Sequence, residues 1–226
     1  MKNFTDRANL PLPALERLAR VYTLLGRLRE GGVCRVSSGT LGELLGVPAH
    51  TVRKDLSLLG LGLSGRGPGG YDAEVLLGAL GERLGLGRMV PVCLAGIGRL
   101  GGAILHRMEG EARYPLAAAF DASMNRIELT RTAVPLYHSS HIRRVVREKG
   151  IRIGIIAVPA CAALDVAERL ISGGVRGIVN FTSVVIPAGF SARHGTAGPV
   201  MVRNVSLTGE LDVICAYFNT EGVLEE

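Results

Sequence analysis

The sequence lacks any long apolar run, and this absence excludes several classes of protein. A membrane-spanning helix needs about 20 consecutive apolar residues, and no stretch of the 226 residues meets that requirement. The first residues also carry no apolar signal region. We therefore expect a soluble, cytoplasmic protein that does not interact with a membrane.

Cysteine is scarce, and its spacing excludes a disulfide framework. The four cysteines are Cys34, Cys93, Cys161 and Cys215, and none belongs to a Cys-x-x-Cys pair. Reduced thiols, most of them buried, are the expected state. Cys93 and Cys161 lie in apolar surroundings, which favours core packing over redox chemistry.

Clusters that could hold a metal or carry out catalysis are also missing. No group of His, Cys, Asp and Glu has the spacing of metal ligands. A dehydrogenase would need a general acid or base, but His106, His138, His141 and His194 have no acidic partner nearby in the sequence. We expect a protein that is not an enzyme and binds no metal.

The basic residues are concentrated in the first third of the chain. Residues 1–71 contain 10 Lys and Arg against 5 Asp and Glu, a net charge of +5, whereas the remainder contains 16 against 15, a net of +1. A length of 226 residues and a hydrophobic content of 47% allow one large or two small domains with a real core. The uneven charge indicates that the first third meets a polyanion, although a solvated basic surface would look the same.

Three helices are predicted in this basic third. Apolar residues recur at three- and four-residue spacing over residues 13–30, and shorter helices follow at 38–45 and 49–59. Ser37, Ser38 or Thr40 could cap the second helix, and Gly46-Val47-Pro48 ends it. Two short helices joined by a tight turn form a helix-turn-helix, whose second helix enters the major groove of DNA. Its polar face would carry His50, Thr51, Arg53, Lys54 and Ser57.

A glycine-rich stretch follows these helices at residues 62–71 and contains Arg66. It resembles the wing of a winged helix, whose Arg reaches a narrow minor groove. A further amphipathic helix is predicted over residues 72–86. Without the wing, a helical hairpin with a charged outer face would explain the same pattern.

A second motif begins where an apolar strand, residues 90–95, opens into Gly96-Ile-Gly98-Arg-Leu-Gly101. This is the G-x-G-x-x-G spacing of dinucleotide-binding domains, with glycines for the tight turn, the pyrophosphate and the helix packing. A second apolar strand ends on Asp121, 20 residues beyond Gly101, where this fold places the acid that binds the ribose. A carboxylate there favours NAD over NADP, although the nearby Arg126 weakens that preference.

The rest of the chain alternates strands with helices, which predicts a parallel sheet. Ligands in such sheets bind beyond the carboxyl ends of the strands. A polar span is expected at residues 125–132, and residues 191–199 form a polar loop. The expected strands are residues 116–121, 134–137, 153–158, 177–181 and 200–205, and the expected helices are 141–149, 160–172 and 207–218.

Taken together, these segments resemble the Rex family of redox-sensing transcriptional repressors. The resemblance runs from about residue 13 to residue 218. Its fold would be α/β, with an N-terminal winged helix-turn-helix domain at residues 1–86, a Rossmann-type domain at 87–205 and a swapped C-terminal helix at 206–226. The segments that carry it are Arg35-Val-Ser-Ser38, Val52-Arg-Lys-Asp-Leu-Ser57, Arg66-Gly, Gly70-Tyr-Asp72, the Gly96–Gly101 loop, Phe120-Asp121, Ala157-Val-Pro-Ala160, Gly177-Ile-Val-Asn-Phe181 and Asn204-Val205.

The resemblance implies a homodimeric repressor that binds a palindromic operator and releases it when NADH binds. DNA contacts would come from Arg53, Lys54, Ser57 and the wing residue Arg66. NADH and NAD⁺ would act as regulatory ligands. The residues implied to bind the nucleotide are Gly96, Ile97, Gly98, Arg99, Leu100, Gly101, Asp121, Val158, Pro159, Asn180 and Phe181.

The sequence departs from the family pattern where the two domains are usually coupled. Thr23, Arg107 and Ser206 occupy the positions where the family has an Arg, a Tyr and an Asp. Allostery needs contacts that differ between two states, so the coupling between the two ligands is expected to be altered. The alternatives are a Rex-like DNA binder with a changed ligand response, an NAD-dependent dehydrogenase and a coenzyme A-binding Rossmann protein.

Overall fold

A computed structural model describes residues 10–61, 70–187, 190 and 199–220. The chain divides into two compact units, Met1–Arg88 and Met89–Glu226. The first unit is mainly helical, and the second is built on a parallel sheet. Among the described residues, no helix combines the length and the apolar character needed to cross a membrane.

The first unit packs four helices around one core. Leu18 and Leu25 on the first helix, Leu41 on the second and Leu76 and Leu80 on the fourth are fully buried. The third helix adds Val52 and Leu56. Its elements are α1 (Leu12–Glu30), β1 (Arg35–Val36), α2 (Ser38–Leu45), α3 (Ala49–Leu58), β2 (Tyr71–Asp72) and α4 (Ala73–Leu84).

One serine caps the start of α2, and two glycines shape the turn between α2 and α3. Of the three candidate caps, it is Ser37 whose Oγ accepts a hydrogen bond from Thr40 N at 3.0 Å. Gly46 ends α2 in the left-handed conformation, at φ +67°, where glycine is free of steric strain. A Cβ on Gly42 would touch the backbone of Val47 and Ala49, so glycine lets the two helices pack closely.

One element of this unit had no sequence signal. It is strand β1, just before α2, which pairs antiparallel with β2 through Arg35 with Asp72 and Val36 with Tyr71. Each strand has two residues, too few for an alternating pattern to be visible. Helix α4 is amphipathic, as predicted, but its apolar residue Val75 is 54% exposed and lies outside the buried face.

The second unit is a six-stranded parallel sheet in the order β5-β4-β3-β6-β7-β8. The order reverses between β3 and β6, the point at which open α/β sheets bind their ligands. The alternation of strands and helices is as predicted. Its elements are β3 (Val92–Ala95), α5 (Arg99–Met108), β4 (Leu116–Asp121), α6 (Met124–Leu129), β5 (Leu136–His138), α7 (Ile142–Glu148), β6 (Ile153–Ile156), α8 (Ala163–Gly173), β7 (Gly177–Asn180), β8 (Met201–Asn204) and α9 (Leu207–Thr220).

Two sequence predictions are wrong, one for this unit and one for the cysteines of both units. The polar span at residues 125–132 contains helix α6, whose N-terminus is capped by Ser123 through a bond from Arg126 N. The thiols are not mostly buried: Cys34, Cys161 and Cys215 are exposed, and Cys93 is buried. Cys161 lies in a short 3₁₀ segment, Ala160–Ala162, instead of on the inner face of α8. Burial raises the pKa of the Cys93 thiol from 9.0 to about 12.

Candidate functional site

The glycine loop after β3 has the geometry that its spacing predicts. Gly96 adopts φ +92°, and a Cβ there would collide with the carbonyl oxygen of Ala157. A Cβ on Gly101 would overlap the carbonyl oxygen of Gly96. These two glycines therefore allow the tight turn and the close packing of α5 on the sheet.

Gly98 plays a different part, because it faces open space. The nearest atom to a Cβ built there is Arg126 Nη1, 4.0 Å away. Helix α5 begins at the next residue, Arg99, so the free N–H groups of its first turn and the positive end of its dipole lie beside this open backbone. Such an arrangement suits the phosphates of a nucleotide.

Asp121 lies at the end of β4 and is bonded to the glycine loop. Its side chain is only 5% exposed. Asp121 Oδ2 accepts hydrogen bonds from Ile97 N at 2.9 Å and from Arg126 Nη1 at 3.0 Å, and Oδ1 accepts one from Ser123 N at 2.8 Å. The predicted ribose-binding acid is thus held beside the predicted pyrophosphate loop.

A cavity of about 740 Å³ opens above the carboxyl ends of β3, β4 and β6. Its volume lies in the usual range for small-molecule sites, about 300–1,000 Å³. Seven of the residues predicted to bind a nucleotide line it together. They are Gly96, Gly98, Leu100, Asp121, Val158, Pro159 and Phe181.

The other four predicted residues do not line the cavity with their side chains. Ile97 is buried and contributes its backbone N–H to Asp121. Asn180 is fully buried, and its amide nitrogen donates to Val184 O at 2.7 Å and Asn204 Oδ1 at 2.8 Å. Asn180 therefore holds the chain after β7 in place, contrary to its predicted position on the pocket wall. Gly101 packs the helix, and Arg99 is exposed outside the lining.

Several lining residues were not predicted. Arg126 and Ser123 come from α6 and its cap, and Asp165 and Arg169 come from α8. Arg126 had a weak sequence signal, its closeness to Asp121. The others carry no motif. The donors and the one buried acid fit the ADP half of a dinucleotide: Gly98 and the start of α5 would hold the pyrophosphate, and Asp121 the ribose.

In the first unit, α3 presents one apolar and one polar face. Val52 and Leu56 are buried, as is Leu59 just beyond the helix. Asp55 is buried among them and was not predicted. Arg17 on α1 binds it through two hydrogen bonds, Nε to Oδ2 at 2.6 Å and Nη2 to Oδ1 at 3.0 Å. The side-chain hydrogen bond to Asp55 raises the pKa of Arg17, and the pair fixes α3 on α1.

The polar face of α3 is accessible to a large ligand. His50, Arg53, Lys54 and Ser57 are exposed, and Thr51 is half-buried. Arg53 Nη1 donates to Ser38 Oγ at 2.9 Å, which links the helix to the start of α2. These side chains suit phosphates and base edges. The predicted wing residue Arg66 lies outside the described residues.

The remaining sequence candidates take no part in these surfaces. His106 has an acidic neighbour after all: its Nδ1 is 3.7 Å from Glu109 Oε2, but its side chain is 90% exposed and lies outside the cavity lining. His194 falls in a segment that the structure does not describe. Within residues 10–61, 70–187, 190 and 199–220, no group of three metal-ligating side chains occurs.

The three residues that depart from the family pattern make only local contacts. Thr23 Oγ1 donates to Ala19 O within α1. Arg107 is exposed on α5. Ser206 Oγ accepts a hydrogen bond from Gly209 N and caps α9.

Comparison with family models finds two matching segments. Residues 9–57 match the family described as "Putative DNA-binding protein N-terminus". Residues 88–184 match the CoA binding domain. The first segment ends within α3, and the second contains the glycine loop and most of the sheet.

Two relatives match this chain over nearly its whole length. The chain is 31% identical over 223 residues to the redox-sensing transcriptional repressor Rex of Lactococcus lactis subsp. cremoris strain SK11, which covers 97% of this chain and 98% of the relative. It is 32% identical over 211 residues to the Rex protein of Listeria welshimeri serovar 6b, covering 92% and 93%.

Solved structures agree with these relatives. RSP in complex with β-NADH is 26% identical and has a TM-score of 0.77, covering 96% of this chain and 98% of that chain. RSP in complex with β-NAD⁺ and operator DNA is 27% identical with a TM-score of 0.77, covering 96% and 95%. The identity and coverage of the Lactococcus and Listeria proteins show that this chain belongs to the Rex family of redox-sensing transcriptional repressors.

Proposed function

We propose that the chain is a DNA-binding transcriptional repressor that senses the ratio of NADH to NAD⁺, and that NADH weakens its binding to an operator. One observation carries the proposal: a single chain holds both a glycine loop with a buried ribose acid and an exposed basic recognition helix. The RSP structures with NADH and with NAD⁺ and operator DNA support the same two ligands. Such a regulator acts on DNA in the cytoplasm.

In the nucleotide pocket, the chain's own groups bind and orient the ligand. The backbone at Gly98 and the first turn of α5 hold the pyrophosphate, and Asp121 accepts a hydrogen bond from a ribose hydroxyl. Val158, Pro159 and Phe181 supply an apolar wall for the rest of the ligand. The bound nicotinamide nucleotide reports its redox state and is not consumed, so no catalytic acid or base is required.

On the DNA side, residues 1–86 form the operator-binding domain. Arg53, Lys54 and Ser57 face outward from α3, while Asp55 anchors the helix from behind. His50 and Thr51 at the helix start lie closest to the tight turn and can contact the phosphate backbone. Arg66 in the wing would add a minor-groove contact.

Residues 206–226 are proposed to form the dimer interface. No residue of α9 is buried, although Leu211, Ile214 and Tyr217 are large and apolar. A helix with such a face normally packs against another element. A second copy of the chain would cover it and would give the two-fold symmetry that a palindromic operator requires.

A second hypothesis is that the pocket binds coenzyme A, because residues 88–184 match the CoA binding domain. Coenzyme A carries a pyrophosphate that the same glycine loop could hold. A dehydrogenase hypothesis has less support, because none of the lining residues in the described part of the chain is a histidine, cysteine or lysine. Asp165 lies in the lining but forms an ion pair with Arg169 at 2.9 Å.

The test measures fluorescence anisotropy of a labelled palindromic duplex, selected by the protein from a random-sequence library in the presence of NAD⁺. Micromolar NADH is expected to release the duplex, whereas NAD⁺ and coenzyme A leave it bound. Asp121→Ala should retain DNA binding and lose the response to NADH. Duplex binding that does not change with NADH would contradict the redox-sensing proposal. Release of the duplex by coenzyme A alone would support the coenzyme A hypothesis.

The dimer is tested separately by sedimentation. The full chain is expected to sediment as a dimer, and Ile214→Asp as a monomer with weaker operator binding. Thr208→Asp, at an exposed polar position on the same helix, is the matched control and should remain dimeric. A monomeric wild-type chain that still binds the palindrome with full affinity would contradict this assignment.

A further inference from the structure

We propose that Arg126 provides a subsite for a phosphate on the 2′-oxygen of the adenine ribose, so that the pocket binds NADPH as well as NADH. The inference rests on the nucleotide site of the proposed function and extends its ligand range. It starts from an observation that the sequence only hinted at: the predicted ribose acid, Asp121, is paired with a cation inside the pocket.

The position of Arg126 makes it a natural neighbour of the ribose. Its Nη1 lies 3.0 Å from Asp121 Oδ2 and 4.0 Å from the point where a Cβ on Gly98 would lie. It therefore lies between the groups expected to hold the ribose and the pyrophosphate. Arginine binds phosphate through two parallel N–H···O bonds, which gives both strength and geometry.

The main objection to a 2′-phosphate is repulsion from Asp121, and the observed pairing removes much of it. An isolated carboxylate would face the phosphate with a full negative charge. Here Asp121 accepts hydrogen bonds from two backbone N–H groups and from the Arg126 cation. The local charge of the pair is near zero, so a second anion meets a compensated site.

Arg126 can also bind a phosphate without giving up its bond to Asp121. Its side chain is 52% exposed, whereas that of Asp121 is 5% exposed. The bond to Asp121 uses Nη1 of Arg126, and a guanidinium has five N–H donors, so the remaining donors can bind a phosphate while the ion pair persists. Asp121 also keeps its bonds from Ile97 N and Ser123 N. Those two N–H groups are fixed by the glycine loop and by the start of α6, so the carboxylate stays satisfied.

The same geometry still admits an unphosphorylated ribose. A carboxylate has about four lone-pair positions, and three are used by Ile97, Ser123 and Arg126. One acceptor position therefore remains for a ribose hydroxyl. Among the described lining residues the other guanidinium is Arg169, which is held by Asp165 one turn away on α8, so the subsite depends on Arg126.

Isothermal titration of the full chain with NADH, NADPH, 5′-ADP and 2′,5′-ADP tests the proposal. The wild-type chain should bind NADPH within about tenfold of NADH, and 2′,5′-ADP at least as tightly as 5′-ADP. Arg126→Gln should weaken NADPH and 2′,5′-ADP by about tenfold to a hundredfold, the range of a charge-assisted hydrogen bond. NADH should change by less than about threefold, because its ribose uses Asp121.

Two variants control for charge and for folding. Arg131→Gln removes the same charge from an exposed position outside the cavity lining and should leave all four affinities unchanged. Arg126→Lys keeps the cation and should restore part of the NADPH affinity. The comparison of 2′,5′-ADP with 5′-ADP on the wild-type chain needs no variant at all.

The outcomes separate this inference from the proposed function. If NADH binds but NADPH binds more than about a hundredfold more weakly, or if Arg126→Gln weakens both equally, the 2′-phosphate subsite is wrong and the redox-sensing function stands. If neither NADH nor NADPH binds, the proposed function itself fails. Weaker NADPH binding in Arg126→Gln, with NADH retained, supports the subsite.

Discussion

The two functional surfaces of this chain are built in opposite ways. On α3, the groups proposed to bind DNA are exposed ends of side chains such as Arg53 and Lys54, and few of them support the fold. In the pocket, the groups proposed to bind a nucleotide are backbone positions and a buried carboxylate that also hold the sheet and loop together.

In the first unit, the residues proposed for recognition contribute little to stability. In the second unit, the groups proposed to bind the nucleotide also stabilise the fold. A substitution on the outer face of α3 should change the affinity for DNA while leaving the free energy of unfolding almost unchanged. A substitution in the glycine loop should change both. Ligand selectivity can therefore change readily on the DNA side, whereas the pocket resists change except at half-exposed positions such as Arg126.

The largest effect is expected from Gly101→Ala. Its Cβ would overlap the carbonyl oxygen of Gly96, and neither backbone can yield easily. We expect the free energy of unfolding of the second unit to fall by about 3–5 kcal/mol, with NADH binding lost. Urea unfolding followed by circular dichroism, together with NADH titration, measures both.

Gly102→Ala is the matched control on the same helix turn. A Cβ there would meet Ile97 O at 3.9 Å, an ordinary contact. Alanine favours helix over glycine by about 0.5–1 kcal/mol, so this variant should be slightly more stable than the wild-type chain. Equal effects at the two positions would show that loop packing does not limit the pocket.

Arg17→Met should destabilise the first unit and so be an exception to the comparison above. Arg17 supports the proposed recognition helix α3 from its buried side, through Asp55. Removing the guanidinium leaves the carboxylate of Asp55 buried without its cationic partner. Breaking a buried pair in this way costs about 3 kcal/mol. The unfolding midpoint in urea measures it, and Arg17→Met combined with Asp55→Leu should recover much of the loss.

Arg29→Met tests whether burial of the ion pair is the cause of the stability loss expected for Arg17→Met. Arg29 and Glu74 also form an ion pair, at 3.2 Å, but both side chains are more than half exposed. An exposed pair contributes less than about 1 kcal/mol. A loss as large as that of Arg17→Met would contradict the role assigned to burial.

Arg53→Ala should weaken operator binding by about tenfold, the size of a single charged contact, with little change in stability. If Arg53 contacts a phosphate, the slope of log affinity against log salt should fall by about 1. Arg27→Ala removes the same charge from an exposed position on α1. If Arg27→Ala weakens binding as much, the assignment of α3 as the recognition helix is wrong.

The smallest effect at neutral pH is expected from the buried thiol. Because burial raises the pKa of Cys93 from 9.0 to about 12, the folded chain keeps this thiol protonated up to a higher pH than the unfolded chain does. Its contribution to stability is complete below pH 9 and is lost as the pH rises toward 12.

Two measurements test this thiol. At pH 8, iodoacetamide followed by mass spectrometry should modify Cys34 and Cys161 and leave Cys93 unmodified. Between pH 9 and 11, the wild-type chain should lose more stability than Cys93→Ala does. Fast alkylation of Cys93 in the folded chain would mean that its strand opens readily.

Much of this molecule was predictable from sequence because its key groups follow backbone rules. The loop from Gly96 to Gly101 and the acid at Asp121 obey spacings that backbone geometry imposes. Helices α1, α2 and α3 were found from apolar periodicity and from Gly46 and Pro48 at the turn. The resemblance to Rex came from these same segments.

The rest depended on contacts between residues distant in sequence. The partner of Asp55 is 38 residues away on α1, and no local pattern on α3 marks it. Asn180 was assigned to the pocket from its place at the end of a strand, but the amide turns toward Asn204, 24 residues later. Helix α6 has only six residues, half of them polar, so its periodicity could not be recognised.

The hydrogen bond from Ile97 N to Asp121 bears on which part of the pocket can distinguish NADH from NAD⁺. It preorganises the loop within the chain, so little conformational entropy is lost when a nucleotide is held there. NADH and NAD⁺ have the same ADP half, and contacts that are equal for two ligands cannot discriminate between them. In the proposed site, the glycine loop and Asp121 therefore set the total nucleotide concentration at which the sensor is occupied, while the choice between oxidised and reduced forms arises where the pocket surrounds the nicotinamide.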